Sequence, residues 1–463
     1  MKNKLKIPLS IAILSILAYS NQGISSLPQQ CLYYLTRESW HLNAATIGLI
    51  SWVVGLAWYI KILWGYIADK VQDTKKCLII SYLSMLAVYA FIITFGLNLV
   101  TLIITGLLIN ICIGFADTNV DKQMVIAEKK HNLKGRLQAI QWTALGVGGL
   151  IVALGGAYIA KYFDYKLAYG LAGIIPICML IYLFKYYKNK NIIKKKVSNI
   201  TINIKKIFYN TLHVGLVIVA IILVHKLTNI NYTWTIYNFH IFYKLLLISI
   251  IPIFIIISSI IYWIYKLIAS SKDGLKKIKS PRLIVGLIFI ACLNFCPSFG
   301  TALMIKLRET MGVDKLFLGY LGAMGTVLGI VGYLIYYKFA YKFPMKKLLY
   351  FMVAFAGITN LFYLYIPNQW FLVGYNLAFG AFGGITFMTL LAFFVTIIPT
   401  GSEGLFYALV TSVSNFTARG GNYFGGLIYD KIGYNANVII SSGLTLCCIF
   451  MIPFLKIGAV ENS

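Results

Sequence analysis

Asp117 and Asp121 are four residues apart, and on a helix that spacing, like a spacing of seven, keeps side chains within roughly 60° of each other. Asn110 and Gly114 fall on the same face. Two carboxylates this close repel when both are ionised, which favours holding and exchanging a proton. Two readings stand for the pair: a gate at a water line, closed with Lys122 or Arg136, or a protonatable coupling site. Lys61 is the lone charge between Ile47 and Trp64, and either snorkels to a nearby edge or contacts the substrate. Arg419 shares a face with Asn415 and Asn422 and has no neighbouring acid in sequence. Its planar fork either pairs with a distant carboxylate or awaits an anionic ligand.

The elements that carry these residues are set by composition. The chain has 463 residues, 60% of them hydrophobic and only 12% charged, with a mean hydropathy of +0.81. Stretches such as Leu78 to Phe95 and Leu245 to Ile261 belong to uncharged runs of about 20 residues, the length that crosses a bilayer core as helix. They lack the alternation of barrel strands, so the expectation is an all-α integral membrane protein. A net charge of +28 in a soluble protein would suggest nucleic acid. Here most of the 41 lysines and arginines, including Lys2, Lys4, Lys6, Lys75, Lys76, Lys129, Lys130, Lys194 to Lys196, Lys346 and Lys347, fall on one side of the spans. That distribution predicts a multi-pass chain with both termini cytoplasmic, an uncleaved first helix and no nucleic-acid partner. The cysteines lack metal-type spacing and the histidines form no cluster, so neither a metal nor a cofactor is expected.

About 14 apolar segments can be drawn. The pair at roughly 207–226 and 244–268 lies between lysine-rich stretches and reads as an inserted hairpin. The expected division is a first six-helix bundle over 1–187, a basic linker with the hairpin over 188–280, and a second six-helix bundle over 281–463. The bundles read as copies. Gly155, Gly156 and Lys161 recur as Gly425, Gly426 and Lys431, and Gly173 recurs as Gly443. Gln22, Ser26 and Gln29 share their spacing with Asn294, Ser298 and Thr301. Duplicated halves with polar stripes suit a transporter built from internal repeats. Glycine doublets at 148–149, 155–156, 420–421 and 425–426 are expected at close helix contacts.

The stretch Tyr19 to Lys76, with its Trp58-x-x-Lys61-x-x-x-Gly65 core, resembles the folate-biopterin transporter family of the major facilitator superfamily. ADTNVDKQMV at 116–125, GRLQAIQWTALGVGGL at 135–150, PSFGTALMIKLRETMGVDKLFLGYLG at 297–322 and GSEGLFYALVTSVSNF at 401–416 extend the resemblance through both halves. It implies a major-facilitator-like 6+6 bundle and proton-linked uptake of folates, pterins or S-adenosylmethionine. It also places suspected roles on Lys61, Asp117, Asp121, Gln138 and Trp142. Ala57 and Ile62 stand where the family flanks the lysine with prolines, and the hairpin is an addition. The candidate substrate-binding set is Gln22, Gln29, Lys61, Asn110, Gln138, Gln141, Trp142, Asn294, Asn415 and Arg419, with Asp117 and Asp121 for proton coupling or gating. The expected protein is a monomeric carrier of a small polar or anionic solute in an inner or plasma membrane. A generic carrier of drugs, sugars or amino acids is the alternative. A membrane prenyltransferase using Asp117 and Asp121 for Mg²⁺ is more remote, because the second half has no matching acidic cluster.

Overall fold

The computed structural model describes residues 9–70, 73–131, 136–187, 279–339, 343–399, 403–455 and 457. The segments expected to form an inserted hairpin, and nearly all of the expected linker, lie outside the described residues. Helices α1 (Leu9–Ile24) and α2 (Leu27–Tyr34) make the first rod; α3 (Ala44–Val54), α4 (Leu56–Tyr59) and α5 (Lys61–Lys70) make the second. Next come α6 (Thr74–Phe95) and α7 (Leu99–His131). A fifth rod contains α8 (Arg136–Ile151) and α9 (Ala157–Tyr162), and a sixth contains α10 (Tyr165–Ala172) and α11 (Ile174–Lys185). The second half repeats this with α12 (Pro281–Phe295) and α13 (Gly300–Ile305), then α14 (Lys315–Lys338), α15 (Met345–Leu361), α16 (Gln369–Ile397), α17 (Glu403–Ile432) and α18 (Tyr434–Cys447).

Among the described residues, nine helical stretches are long and apolar enough to cross a membrane. The remaining rods are the first, the second and α17, which are interrupted or carry polar side chains. Short polar links start the spans: Asn43 caps α3, Asp73 caps α6, Asp314 caps α14 and Asn368 caps α16, each side chain accepting a backbone N–H of the new helix.

Each half has its own core. Leu14, Leu78, Tyr82, Val120, Met179 and Leu183 centre one. Leu283, Phe289, Leu349, Phe393, Phe406 and Val410 centre the other. Lipid is as apolar as these side chains, so close packing holds such helices together. Glycine permits it at several of the expected doublet positions: a Cβ on Gly148 would crowd Gly23, one on Gly420 would crowd Phe295, and one on Gly425 would strike Ser298, whereas one on Gly149 would meet nothing within 4 Å. The halves meet along two lines. Gly426 of α17 lies against Ala44 of α3, and Gly319 of α14 lies against Ala153 and Ala157 of the fifth rod.

Two expected helical stripes are interrupted. The first rod leaves the helix at Ser25–Ser26, and its counterpart leaves it over 296–299, so spacing across Gln22 and Gln29, or Asn294 and Thr301, does not define one face. Pro28 in the first turn of α2 fits this restart, because proline is tolerated where a helix begins.

Candidate functional site

The second rod changes direction twice, at Gly55 and at Ile60, so that Lys61 opens α5. Trp64 Nε1 donates to Ala57 O at 2.8 Å across this break, and Trp58 Nε1 donates to Asn110 Oδ1 at 2.7 Å. The break forms with Ala57 and Ile62 at the positions where the resemblance implies prolines. Lys61 Nζ is thereby directed at α7, 2.6 Å from Asp117 Oδ2 and 3.3 Å from Asp121 Oδ2. Tyr19 of α1 donates its hydroxyl to Asp121 Oδ1 at 2.8 Å.

In the structure the acids meet a cation that was not expected as their gate partner, and the side chain of Arg136 lies outside the described residues. Lys61 holds both, while Lys122 Nζ donates to Ala68 O at 2.8 Å, because the next helical position points about 100° away. Asp117 is buried at 5% side-chain exposure, whereas Asp121 keeps 28%. One cation beside two carboxylates leaves a net charge of −1 when all are ionised, and one added proton brings the cluster to neutrality. Isolated carboxylates would be expensive at such depth. A lysine already occupying the space between them also disfavours Asp117 and Asp121 as a Mg²⁺ site.

Arg419 reaches across to the first half, donating Nη1 to Ser51 O at 2.9 Å and Ser51 Oγ at 3.3 Å. No carboxylate pairs with it among the described residues, so the rest of its fork remains available. Aromatic rings surround the crossing: Trp52 stacks near Tyr423 at 5.8 Å, and Phe416 meets Tyr59 edge-on at 5.3 Å.

The other anticipated residues are dispersed. Asn110 is committed twice, to Trp58 and by Nδ2 to Gly106 O. Asn294 donates to Ser414 Oγ at 3.2 Å, one residue before the half-buried Asn415. Gln22 is half-buried with an unpartnered Oε1, and Gln29 is exposed. Gln138 lies on α8. Gln141 is fully buried on the same helix with neither amide atom hydrogen-bonded. Trp142 is 41% exposed and meets Phe387 of the second half at 6.4 Å.

At the opposite end of the bundle the structure reveals charges that were not singled out. Arg37 grips Glu309 through Nε and Nη2 at 2.6 and 2.9 Å. Arg308 donates through Nε and Nη2 to Glu38 at 3.2 and 3.0 Å, and Lys315 adds a bond to Glu38 at 2.7 Å. Each arginine also donates Nη1 to a carbonyl of its own half, Leu42 or Val313. Both arginines sit in matching single turns of π-helix, Leu35–Ser39 and Lys306–Thr310. The turn after each needs a positive φ, 52° at His41 and 65° at Gly312. Lys161 of the fifth rod pairs with Asp314 at 2.8 Å beside this seam. The sequence does contain the signal: Arg-Glu-Ser-x-x-Leu-Asn at 37–43 recurs as Arg-Glu-Thr-x-x-Val-Asp 271 residues later.

Burial alone would raise the Glu38 carboxyl, but Lys315 and Arg308 outweigh it and hold the group below its usual range. The hydrogen bond from Lys161 likewise lowers Asp314.

The sequence matches the family model of the Major Facilitator Superfamily over residues 11–416. A curated relative, the folate-biopterin transporter of Synechocystis sp. (strain ATCC 27184 / PCC 6803 / Kazusa), is 18% identical over 439 residues, covering 91% of this chain and 75% of the relative. Among solved structures, a POT family transporter in complex with 5-aminolevulinic acid superposes with a TM-score of 0.71 at 16% identity, covering 96% of each chain. A nucleoside transporter gives 0.64 at 11% identity over 97% of this chain and 100% of its own. A D-xylose-proton symporter gives 0.59 at 13% identity over 98% and 99%. With an all-helical fold in two similar halves and a family match over most of its length, the chain is a multi-pass membrane transporter that belongs to the Major Facilitator Superfamily.

Proposed function

We propose that the protein moves a small polar or anionic solute of the folate or pterin type by proton-linked alternating access. The observation that carries this reading is the Lys61–Asp117–Asp121 cluster, a charged site inside a membrane bundle that one proton neutralises. The ion-paired seam between the halves supports a molecule closed at that end, and the basic-side rule orients the seam outward with both termini in the cytoplasm. Arg419, with unused donors at the crossing of the halves, is assigned to an anionic part of the substrate. The relative named for folate and biopterin favours this substrate class over S-adenosylmethionine, drugs, sugars or amino acids.

Uptake of labelled pterin and folate into proteoliposomes, with and without a pH gradient, tests the reading. Accumulation that requires an acidic outer side supports it. Accumulation of another solute class, with pterins and folates excluded, assigns the protein to the generic carriers. The orientation is tested by impermeant labelling of single cysteines at Lys195 or Lys277 in intact cells, where labelling from outside contradicts it.

A further inference from the structure

The glycines of α14 and α16 fall into two groups. Gly332 and Gly384 are at the helix contact, where a Cβ would collide with Ala381 O or Gly329 O. Gly325, Gly329 and Gly383 are different: a Cβ on any of them would meet nothing within 4 Å. Packing does not explain them, and each glycine inside a helix costs about 1 kcal/mol relative to alanine. What they share is a groove of about 480 Å³ between α14, α15 and α16. That volume lies in the range of roughly 300–1,000 Å³ usual for small-molecule sites.

The rest of the lining defines the guest. It contains no charged side chain. Phe355 and Phe379 form an aromatic wall, their rings 5.9 Å apart. The Asn360 side chain makes no hydrogen bond within the described residues, and that of Asn376 uses only Nδ2, in a long 3.4 Å bond to Leu321 O. Both amides are only partly buried, so a guest in the groove can reach them. An acyl chain would use the aromatic wall but neither amide. At another edge, Tyr333 and Phe387 lie 5.9 Å apart, and Phe387 faces Trp142 across the boundary between the halves.

We infer that this groove is a subsite for a flat, uncharged nitrogen heterocycle: the bare glycines keep its slot open, the aromatic rings stack on it, and Asn360 and Asn376 bind its amide-like edge. The inference rests on the transport reading and specifies where the ring half of such a substrate is held, apart from the anion-binding role given to Arg419.

The test uses the full chain in nanodiscs, with free pterin as the probe read by its own fluorescence anisotropy. Gly329→Leu and Gly383→Leu fill the slot without striking a neighbour at Cβ, and each should weaken pterin binding by about tenfold or more. Asn360→Leu should weaken it by about tenfold. Gly374→Leu, equally free of neighbours but outside the groove, should leave affinity unchanged. Parallel proteoliposome uptake separates the two claims. If wild-type protein accumulates pterin and both filled variants keep wild-type affinity, the groove assignment is overturned and the transport reading stands. If wild-type protein neither binds nor accumulates pterin, both are overturned. Loss of a co-purified lipid from the filled variants with pterin affinity intact assigns the groove to lipid and also overturns the proposal.

Discussion

At one end of the bundle, Arg37 and Glu38 of the first half meet Glu309 and Arg308 of the second, whereas at the other end Lys61, Asp117 and Asp121 all belong to the first half. The first arrangement is reciprocal, and every member has a counterpart in the other half. The second has none. Ion pairs between halves change only when the halves separate, so the seam reports and biases which end is open. Ion pairs within one half persist through such a motion, and in the function proposed above they respond to a proton instead. The seam is thus symmetric between the halves, while the acidic cluster belongs to one half and breaks the symmetry.

The largest effect should come from breaking the unduplicated site. Lys61→Met strands two carboxylates, and removing one partner of a buried pair costs about 3–5 kcal/mol. Accumulation should fall by more than tenfold, measured as initial uptake into proteoliposomes under a pH gradient. Adding Asp117→Asn to Lys61→Met restores the net charge of −1 and should recover folding yield and exchange at equal pH, though not accumulation under a pH gradient. Failure of the double variant to improve on the single one would remove charge balance from the account.

The seam should respond more mildly. Glu38→Gln loosens contacts to both Arg308 and Lys315, and at about 1 kcal/mol for a partly exposed network it should shift the open and closed populations about fivefold. Impermeant labelling of a cysteine at Thr36, buried beside the seam, in a background without native cysteines reads this shift. Exchanging both partners, Arg37→Glu with Glu309→Arg, should return labelling towards wild type.

Acid should act on the seam in a defined direction. Glu38 and Asp314 have lowered pKa values when paired, so their contribution is complete above the ordinary carboxylate range and is lost as pH falls through the lowered values. Labelling at Thr36 should therefore rise only at strongly acidic pH, and Glu38→Gln should flatten that dependence. The smallest effect is expected from Arg419→Gln, which should weaken apparent substrate affinity several-fold, with Arg419→Lys restoring it only in part because the fork is lost. Unchanged affinity in both variants would make Arg419 structural.

Much of this organisation was legible in the sequence because it is written in local periodicity. The uncharged runs gave the spans, and the pairing of Gly155, Gly156 and Lys161 with Gly425, Gly426 and Lys431 gave the repeat. The partners of the charges were not, because they depend on where rods bend. Lys61 meets acids 56 and 60 residues away only since the second rod breaks at Ile60. Lys122 is adjacent to Asp121 in sequence but points elsewhere on the helix. The seam was readable in principle, as Arg-Glu followed by a turn in each half, but each arginine alone resembles an ordinary solvated charge at a span end. The open glycines of the α14–α16 groove look in sequence like the packing glycines beside them, and only the neighbours they lack distinguish the two.

The division of labour between the two ends is tested most directly by measuring two activities of Asp117→Asn in the same proteoliposomes: accumulation driven by a pH gradient, and exchange of labelled substrate at equal pH. Exchange needs no net return of a proton, so the account predicts that accumulation is lost while exchange continues. Wild-type proton dependence in this variant, or loss of exchange together with accumulation, would contradict the assignment of coupling to the acidic cluster.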